Sequence, residues 1–480
     1  MTPIHVDVAI IGAGTAGMVA YRAARSHTDS VLLIEGNVYG TTCARVGCMP
    51  SKLLIAAAEA AHQARHADPF GVHVKDVVVD GAAVMARVQS ERDRFVSFVL
   101  KSVDSLPQVG RLMAKVSFQD ANTLLTEQGQ SIHARRIVVA TGSIPVLPPL
   151  LQGLKTHLLT NENIFDLPTL PKSLVVFGPG VLGLELGQAM SRLGVKVKMF
   201  GVGGSVAGIH DPEIRDYAHQ TFNEEFYLDA SAQVKSVTET AAGVEVNYLH
   251  RDGAWQTERF DYVLAATGRA PNIAGLGLKN SGLQLNERGV PLFDRLTLQC
   301  GNSPIFIAGD ASNEIPLLHE AADQGRIAGA NAGRYPDVQA GLRRTPLAVV
   351  FSDPQVATVG FNLDQLNQHF KDRFATGRVS FEDQGRSRVM LRNKGILKVY
   401  AEQGSGLFLG AEMFGPAAEH IGHLLAWAAQ NCMTVSRMLE MPFYHPVIEE
   451  GLRTALRDLN HSLHIDSEVI EQCMDCGPGA

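Results

Sequence analysis

A strand, a Gly-x-Gly-x-x-Gly loop and a helix follow one another twice in this chain, and no other feature restricts the fold as strongly. The first copy runs from an apolar, β-branched stretch, Val6 to Ile11, through Gly12-Ala13-Gly14-Thr15-Ala16-Gly17 into a helical run ending near Arg25. A second buried strand, Val31 to Ile34, ends in Glu35. A unit of this kind holds a dinucleotide. Gly12 permits the tight turn, Gly14 lets the backbone approach a pyrophosphate, Gly17 lets helix and strand pack closely, and Glu35 accepts hydrogen bonds from the adenosine ribose.

The second copy comprises the strand Leu174 to Phe177, the loop Gly178-Pro179-Gly180-Val181-Leu182-Gly183, a helix to about Leu193 and a strand Val195 to Phe200. By offset from the first glycine, the position answering to Glu35 is Gly201, and Val202-Gly203-Gly204-Ser205 after it holds no Arg for a 2′-phosphate. This second site reads as a nicotinamide site with NAD or NADP left open, its ribose served by Ser205 or by backbone amides. Two dinucleotide folds in one chain imply two nucleotides and electron transfer between them.

Two cysteines follow the first fold in the run Cys43-Ala44-Arg45-Val46-Gly47-Cys48-Met49-Pro50-Ser51-Lys52. Five positions along a regular helix rise about 7.5 Å, whereas a disulfide needs Cα atoms within about 7 Å. A bridge therefore requires distorted backbone at a helix start, for which Gly47 and Pro50 are suited, ahead of a long helix from Lys52 to Ala64. A helix N-terminus favours the thiolate. Two isolated cysteines would read as packed core residues; beside a dinucleotide fold they read as a redox pair.

Val138-Val139-Ala140-Thr141-Gly142-Ser143 and Leu264-Ala265-Ala266-Thr267-Gly268-Arg269 are buried strands that each close a nucleotide unit, and prolines after each (Pro145, Pro148, Pro149, Pro271) mark crossings between domains. The strand Ile305 to Ile307 ends in Ala308-Gly309-Asp310, and a helix spans Leu317 to Ala332. Asp310 is placed to bond a sugar-like hydroxyl chain. The helix N-terminus at Leu318 and His319 could stabilise negative charge on a reduced flavin ring, although a lone histidine such as His319 is more often a capping or packed residue than a functional one. From about Thr345 the glycine loops cease and an α+β domain follows, with strands at Ala348 to Ser352, Gly377 to Phe381 and Gly395 to Ala401 and helices at Ala417 to Asn431 and Val435 to Glu440. Near its end His445-Pro446-Val447-Ile448-Glu449-Glu450 opens a helix to about Leu459. Pro446 excludes His445 from helical geometry; the pair suits a structural turn, or an imidazole oriented by Glu450 as acid or base.

With 480 residues the chain needs more than one core. A net charge of -7 gives no reason to expect nucleic acid or an anionic membrane as partner. There is no apolar run long enough for a bilayer and no signal peptide, and six cysteines in so long a chain are not a disulfide scaffold. The expectation is a cytoplasmic protein whose dithiol is catalytic, with no metal site.

Together the Cys43 to Lys52 run, both Gly loops, the two Ala-Thr-Gly strands, Ala308-Gly309-Asp310 and His445-Pro446 through Glu450 resemble the FAD-dependent pyridine nucleotide–disulfide oxidoreductases, in order, over about residues 5 to 460. The Cys-Met-Pro-Ser-Lys ending is most similar to the dihydrolipoyl dehydrogenase branch. The resemblance implies an α/β chain with two Rossmann-like dinucleotide-binding domains and a C-terminal α+β dimerisation domain. Residues 1–150 and 272–344 would form the FAD-binding and central part, 151–271 the NAD(P)-binding domain, 345–462 the dimerisation domain and 463–480 a tail.

It also implies roles. Cys48 is the flavin-proximal thiol and Cys43 the interchange thiol. Lys52 and Thr42 lie at the flavin, Glu35 on the FAD ribose, and Asp310 on the ribityl chain. Thr141, Gly142, Ser143, Gly268, Gly309, Leu318 and His319 complete the FAD contacts, while Gly178, Gly180, Gly183 and Glu185 serve the nicotinamide nucleotide. His445, oriented by Glu450, is the acid/base acting on the disulfide of the partner subunit in a homodimer. The implied reaction is oxidation of dihydrolipoamide or a related dithiol, free or on a lipoyl domain of a 2-oxo acid dehydrogenase complex, with electrons passing through FAD to NAD, NADP not excluded.

Arg45 stands where the family usually has Asn, Val447 replaces a common Thr, Gly201 replaces an acid, and the tail carries Cys473 and Cys476. Those departures leave two further readings: an NADPH-dependent disulfide or mercuric reductase with the tail pair as relay, and a flavin-bearing redox sensor without turnover. The tail pair also suits an incidental or weakly metal-binding segment, and Cys300 and Cys432 read as structural.

Overall fold

The computed structural model describes residues 2–464; Cys473 and Cys476 lie outside the described residues. The two sequence copies of the nucleotide unit form two parallel sheets. In the first, Ile4–Ile11 is flanked by Val31–Glu35 on one side and Ser131–Val139 on the other, with Arg111–Met113 beyond Val31–Glu35. Ile305–Ile307 returns from far along the chain to pair with Ile137–Val139. Val8, Ala9, Ile10 and Leu33 are fully buried, as expected of parallel strands covered on both faces. An antiparallel ribbon, Val116–Phe118 and Thr123–Thr126, extends the sheet.

The second sheet repeats that order: Tyr227–Asp229, Lys196–Phe200, Ser173–Phe177, Tyr262–Ala265 and Leu158–Leu159, all parallel. A three-stranded antiparallel meander, 234–260, lies beside it. The proline-marked crossings are real elements: Ser143–Pro145 and Arg269–Pro271 pair antiparallel as the two-stranded connection between the nucleotide units.

Seven α-helices of the described residues precede the C-terminal unit: α1 (Thr15–Arg25), α2 (Thr42–Val46), α3 (Cys48–Arg65), α4 (Gly81–Asp104), α5 (Val181–Arg192), α6 (Pro212–Glu225) and α7 (Leu318–Arg334). Helices α1 and α7 cross closely because α7 presents glycines. A Cβ on Gly325 would lie 2.3 Å from the Ala16 carbonyl oxygen, and one on Gly329 would lie 2.2 Å from that of Ala20. The 24-residue α4, capped by the Asp80 carboxylate accepting from the Ala83 N–H (3.0 Å), had no counterpart in the sequence reading.

The last unit is a five-stranded antiparallel sheet in the order Leu347–Val350, Gln355–Gly360, Phe408–Gly415, Ile396–Glu402, Phe374–Ser380. Helices Ala418–Gln430 and Glu450–Ser462 cover it. No helix among the described residues is long and apolar enough to cross a membrane.

Candidate functional site

The glycine loops behave as their spacing requires. Gly12 (φ +106°) and Gly178 (φ +105°) occupy the left-handed region, and a Cβ on either would meet the carbonyl oxygen of Ala140 or Ala266 at 2.3 Å. A Cβ on Gly17 would fall 1.8 Å from the Gly12 oxygen, and one on Gly183 would fall 1.9 Å from that of Gly178. Gly14 and Gly180, by contrast, face open space, at the N-termini of α1 and α5 where an anionic pyrophosphate is favoured. At the end of its strand Glu35 accepts from the Ala13 N–H through Oε2 (2.8 Å) and from the Asn37 N–H through Oε1 (3.0 Å). Its carboxylate is thereby fixed beside the first loop.

From Gly14 a cleft runs past Thr42, Cys43, Gly47, Cys48, Gly142, Ser143, Gly309, Asp310 and Leu318, and Leu182 of α5 reaches it from the second nucleotide unit. Two polar atoms at its flanks, Thr141 Oγ1 and His319 Nε2, are buried without a hydrogen-bond partner in the protein. An extended polar ligand with a pyrophosphate and a hydroxylated chain fits this donor set, and FAD is such a ligand. Gly309 (φ +69°) lets the chain pass close to Ala16, and Gly268 (φ +100°) turns the matching corner of the second unit.

One network was not legible beforehand. The Ser143 hydroxyl donates to Asp310 Oδ2 (2.6 Å), Arg269 Nε donates to the Ser143 Oγ (2.8 Å), and Arg269 Nη1 donates to Asn161 Oδ1 (2.8 Å). Asn161 Nδ2 in turn donates to the Val46 carbonyl (2.9 Å), at the end of the cysteine-bearing α2. Arg269 and Asn161 thus tie the expected ribityl contact to the dithiol, and both line the cleft.

The cysteine spacing is resolved by breaking the helix. Cys43 lies in α2, Gly47 leaves helical geometry (φ -136°, ψ -116°), and Cys48 is the first residue of α3. Both are free thiols. The hydrogen bond from Cys43, followed by the Lys52 ammonium, outweighs burial and holds the Cys48 thiol down at about 7. The same hydrogen bond, with burial, pushes Cys43 up. The helix N-terminus at Cys48 and the nearby Lys52 ammonium favour the charge on that sulfur of the pair. The Arg45 stem packs against the Gly40 position, where a Cβ would lie 2.7 Å from its Cδ, and the cation acting on the thiols is Lys52.

Lys52 Nζ donates to Glu185 Oε1 (2.9 Å) and Oε2 (2.8 Å) and sits 4.4 Å from the centroid of Phe351. Glu185, nearly buried, also accepts from the Phe351 N–H (3.0 Å). Helix α3 of the first unit is thereby joined to α5 of the second and to the C-terminal sheet.

His445 Nδ1 lies 3.0 and 3.1 Å from the two oxygens of Glu450, which also accepts from the Val447 N–H (3.2 Å). The helix starts at Glu450 rather than at the His-Pro turn, so the carboxylate sits at its first residue, where the helix dipole favours the charge. The imidazole is exposed while Glu450 is buried. Neither residue lines the cleft around Cys43 and Cys48 within one chain. Of the remaining cysteines, Cys300 is buried, its thiol pushed up to about 12 by burial; Cys432 is exposed rather than part of a core.

Residues 6–325 match the family model described as pyridine nucleotide-disulphide oxidoreductase, and residues 347–456 match its dimerisation domain. A dihydrolipoyl dehydrogenase of Geobacillus stearothermophilus is 30% identical over 96% of this chain and 98% of its own. A mercuric reductase of Shigella flexneri is 31% identical over 95% of this chain and 81% of its own. Among solved structures, LpdA from Mycobacterium tuberculosis superimposes with a TM-score of 0.80 at 27% identity, covering 94% of this chain and 99% of that one.

Proposed function

The chain belongs to the pyridine nucleotide-disulphide oxidoreductases, flavoenzymes that use FAD and a nicotinamide nucleotide, and from that premise we propose that it oxidises a vicinal dithiol of the dihydrolipoamide type and delivers the electrons to a nicotinamide nucleotide. The observation that carries this reading is the Cys43–Cys48 pair at the cofactor cleft, with Cys48 favoured as the thiolate at the N-terminus of α3.

In the oxidised pair a substrate thiolate attacks Sγ of Cys43. The Cys43–Cys48 bond breaks and Cys48 leaves as the thiolate that its surroundings favour. The second substrate thiol, losing its proton to His445 of the partner subunit, then attacks the substrate sulfur attached to Cys43, closing the product disulfide and leaving two reduced cysteines. Glu450 stabilises the imidazolium formed in that step. FAD, when bound, supplies the two-electron carrier between this dithiol and the nicotinamide. Glu35, Ser143 and Asp310 would hold its ribose and ribityl hydroxyls, and the N-terminus of α1 its pyrophosphate. Association with a 2-oxo acid dehydrogenase complex and a cytoplasmic location belong to this reading.

Steady-state assay of the purified flavoprotein tests it. Dihydrolipoamide with NAD or NADP should turn over, and Cys43→Ser should abolish that turnover. Full retention by Cys43→Ser rejects the mechanism. Turnover only of mercuric ion, glutathione disulfide or thioredoxin with NADPH favours the reverse-running reductase, for which a relative at 31% identity speaks.

A further inference from the structure

The two nucleotide units differ at one corner in a way that bears on nicotinamide nucleotide choice. In the first, Ala13 between the glycines is small and donates its N–H to the Glu35 carboxylate at the strand end (2.8 Å). In the second, the residue between the glycines is Pro179, and the strand end is Gly201. The correspondence is structural: Gly12 N–H bonds the Ile34 carbonyl and Gly178 N–H bonds the Phe200 carbonyl, so Gly201 occupies the place of Glu35.

Gly201 is not demanded by backbone conformation, since its φ lies outside the left-handed region. It is demanded by space. A Cβ there would lie 2.6 Å from Pro179 Cγ, 2.8 Å from Pro179 Cδ and 2.9 Å from the Ala230 carbonyl oxygen. Proline also has no N–H, so the donor that anchors Glu35 in the first unit is absent from the second. The Gly201 N–H and carbonyl are taken by Asp229 and Ala232, and the Ala207 N–H folds back onto the Pro179 carbonyl (2.8 Å). From Gly201 to Gly208 the loop contains no charged residue, and the neighbouring Asp229 carboxylate is engaged by the Ser231 N–H (3.0 Å). Val202, next to the strand end, is 89% exposed.

A carboxylate at this corner bonds ribose hydroxyls and repels a 2′-phosphate; an arginine attracts that phosphate. Pro179 and Gly201 exclude the first, and the loop does not supply the second. We infer that the second unit binds nicotinamide dinucleotides with a 2′-hydroxyl or a 2′-phosphate about equally, and that the Pro179–Gly201 contact determines this. The inference rests on the second unit being the nicotinamide site of the proposed reaction, but it does not depend on the dithiol.

Equilibrium titration of the flavoprotein with NAD+ and NADP+, without dithiol, tests it. Dissociation constants within tenfold of each other are expected, and a ratio of tenfold or more overturns the inference. Val202→Arg, on an exposed side chain, should tighten NADP+ at least tenfold relative to NAD+; an unchanged ratio places the ribose elsewhere and overturns it. Pro179→Ala with Gly201→Glu, which removes the two shortest contacts and restores the donor while the Ala230 carbonyl oxygen stays 2.9 Å from the new Cβ, should weaken NADP+ at least tenfold relative to NAD+. Gly201→Glu alone should weaken both nucleotides. If the single substitution selects NAD+ as well as the double does, Pro179 is not the determinant. If neither nucleotide binds the wild-type protein, the nicotinamide assignment itself fails, whereas a failed dithiol assay leaves these titrations intact.

Discussion

Cys48 owes its character to three neighbours close along the chain: the thiol of Cys43, the N-terminus of α3 and the ammonium of Lys52. Its lowered pKa means that, in the reduced protein, the thiolate is present above a pH of about 7 and is lost as the pH falls through that value. Removing the Cys43 hydrogen bond removes the leading cause. In Cys43→Ala the midpoint for alkylation of Cys48 by iodoacetamide, followed by peptide mass, should therefore rise toward the ordinary thiol value of about 8.5. It should stop short of that value because Lys52 and the helix terminus remain. An unchanged midpoint would mean that the hydrogen bond contributes little and that Lys52 and the helix do the work. The thiols, the glycine loops and Glu35 were legible in the sequence because each belongs to a short pattern with fixed spacing. Arg269 and Asn161 were not. They meet from opposite ends of the second unit, and a hydrogen bond between residues far apart leaves no local periodicity.

Among the elements, legibility followed burial. The parallel strands are buried on both faces and stand out as β-branched runs, and the boundaries of Val31–Glu35 and Ile305–Ile307 fell where expected. Helix α4 escaped because its apolar residues are not confined to one stripe: Met85, Val88 and Val103 are buried while Phe98 and Leu100 are exposed. The contact of α1 with α7 is visible in hindsight as the Gly325, Gly329, Gly333 repeat, which lets two backbones approach where side chains would separate them. This contact sets the position of the Gly14 to Gly17 turn, because α1 starts there. Gly329→Ala puts a Cβ 2.2 Å from a carbonyl oxygen that cannot rotate away. Overpacking of this kind costs about 1–3 kcal/mol. Chemical denaturation of the apoprotein should show that loss, and FAD should bind more weakly as the first loop is displaced. Unchanged stability would show that the two helices can slide apart without penalty.

Across the full chain, the proposed acid/base and the two thiols are both present but not at the same place. His445 and Glu450 form a buried-carboxylate, exposed-imidazole pair on the dimerisation domain, and the cleft of Cys43 and Cys48 is lined without them. The C-terminal unit matches a dimerisation family, so a second copy is the natural source of the missing imidazole. The consequence can be read by mixing subunits. Cys43→Ser and His445→Ala homodimers should each be nearly inactive, the second by roughly 10²–10⁴-fold as for loss of a general acid/base. Unfolding and refolding them together in equal amounts makes about half of the molecules mixed dimers by random pairing. If each site combines the cysteines of one chain with the histidine of the other, every mixed dimer has one intact site and one doubly damaged site, and about a quarter of wild-type dihydrolipoamide turnover should return. If the histidine served its own chain, each site in the mixed dimer would still carry one lesion, and no activity would return. Pairing verified by a mass tag on one subunit makes the absence of recovery a rejection of the shared site rather than a failure of assembly.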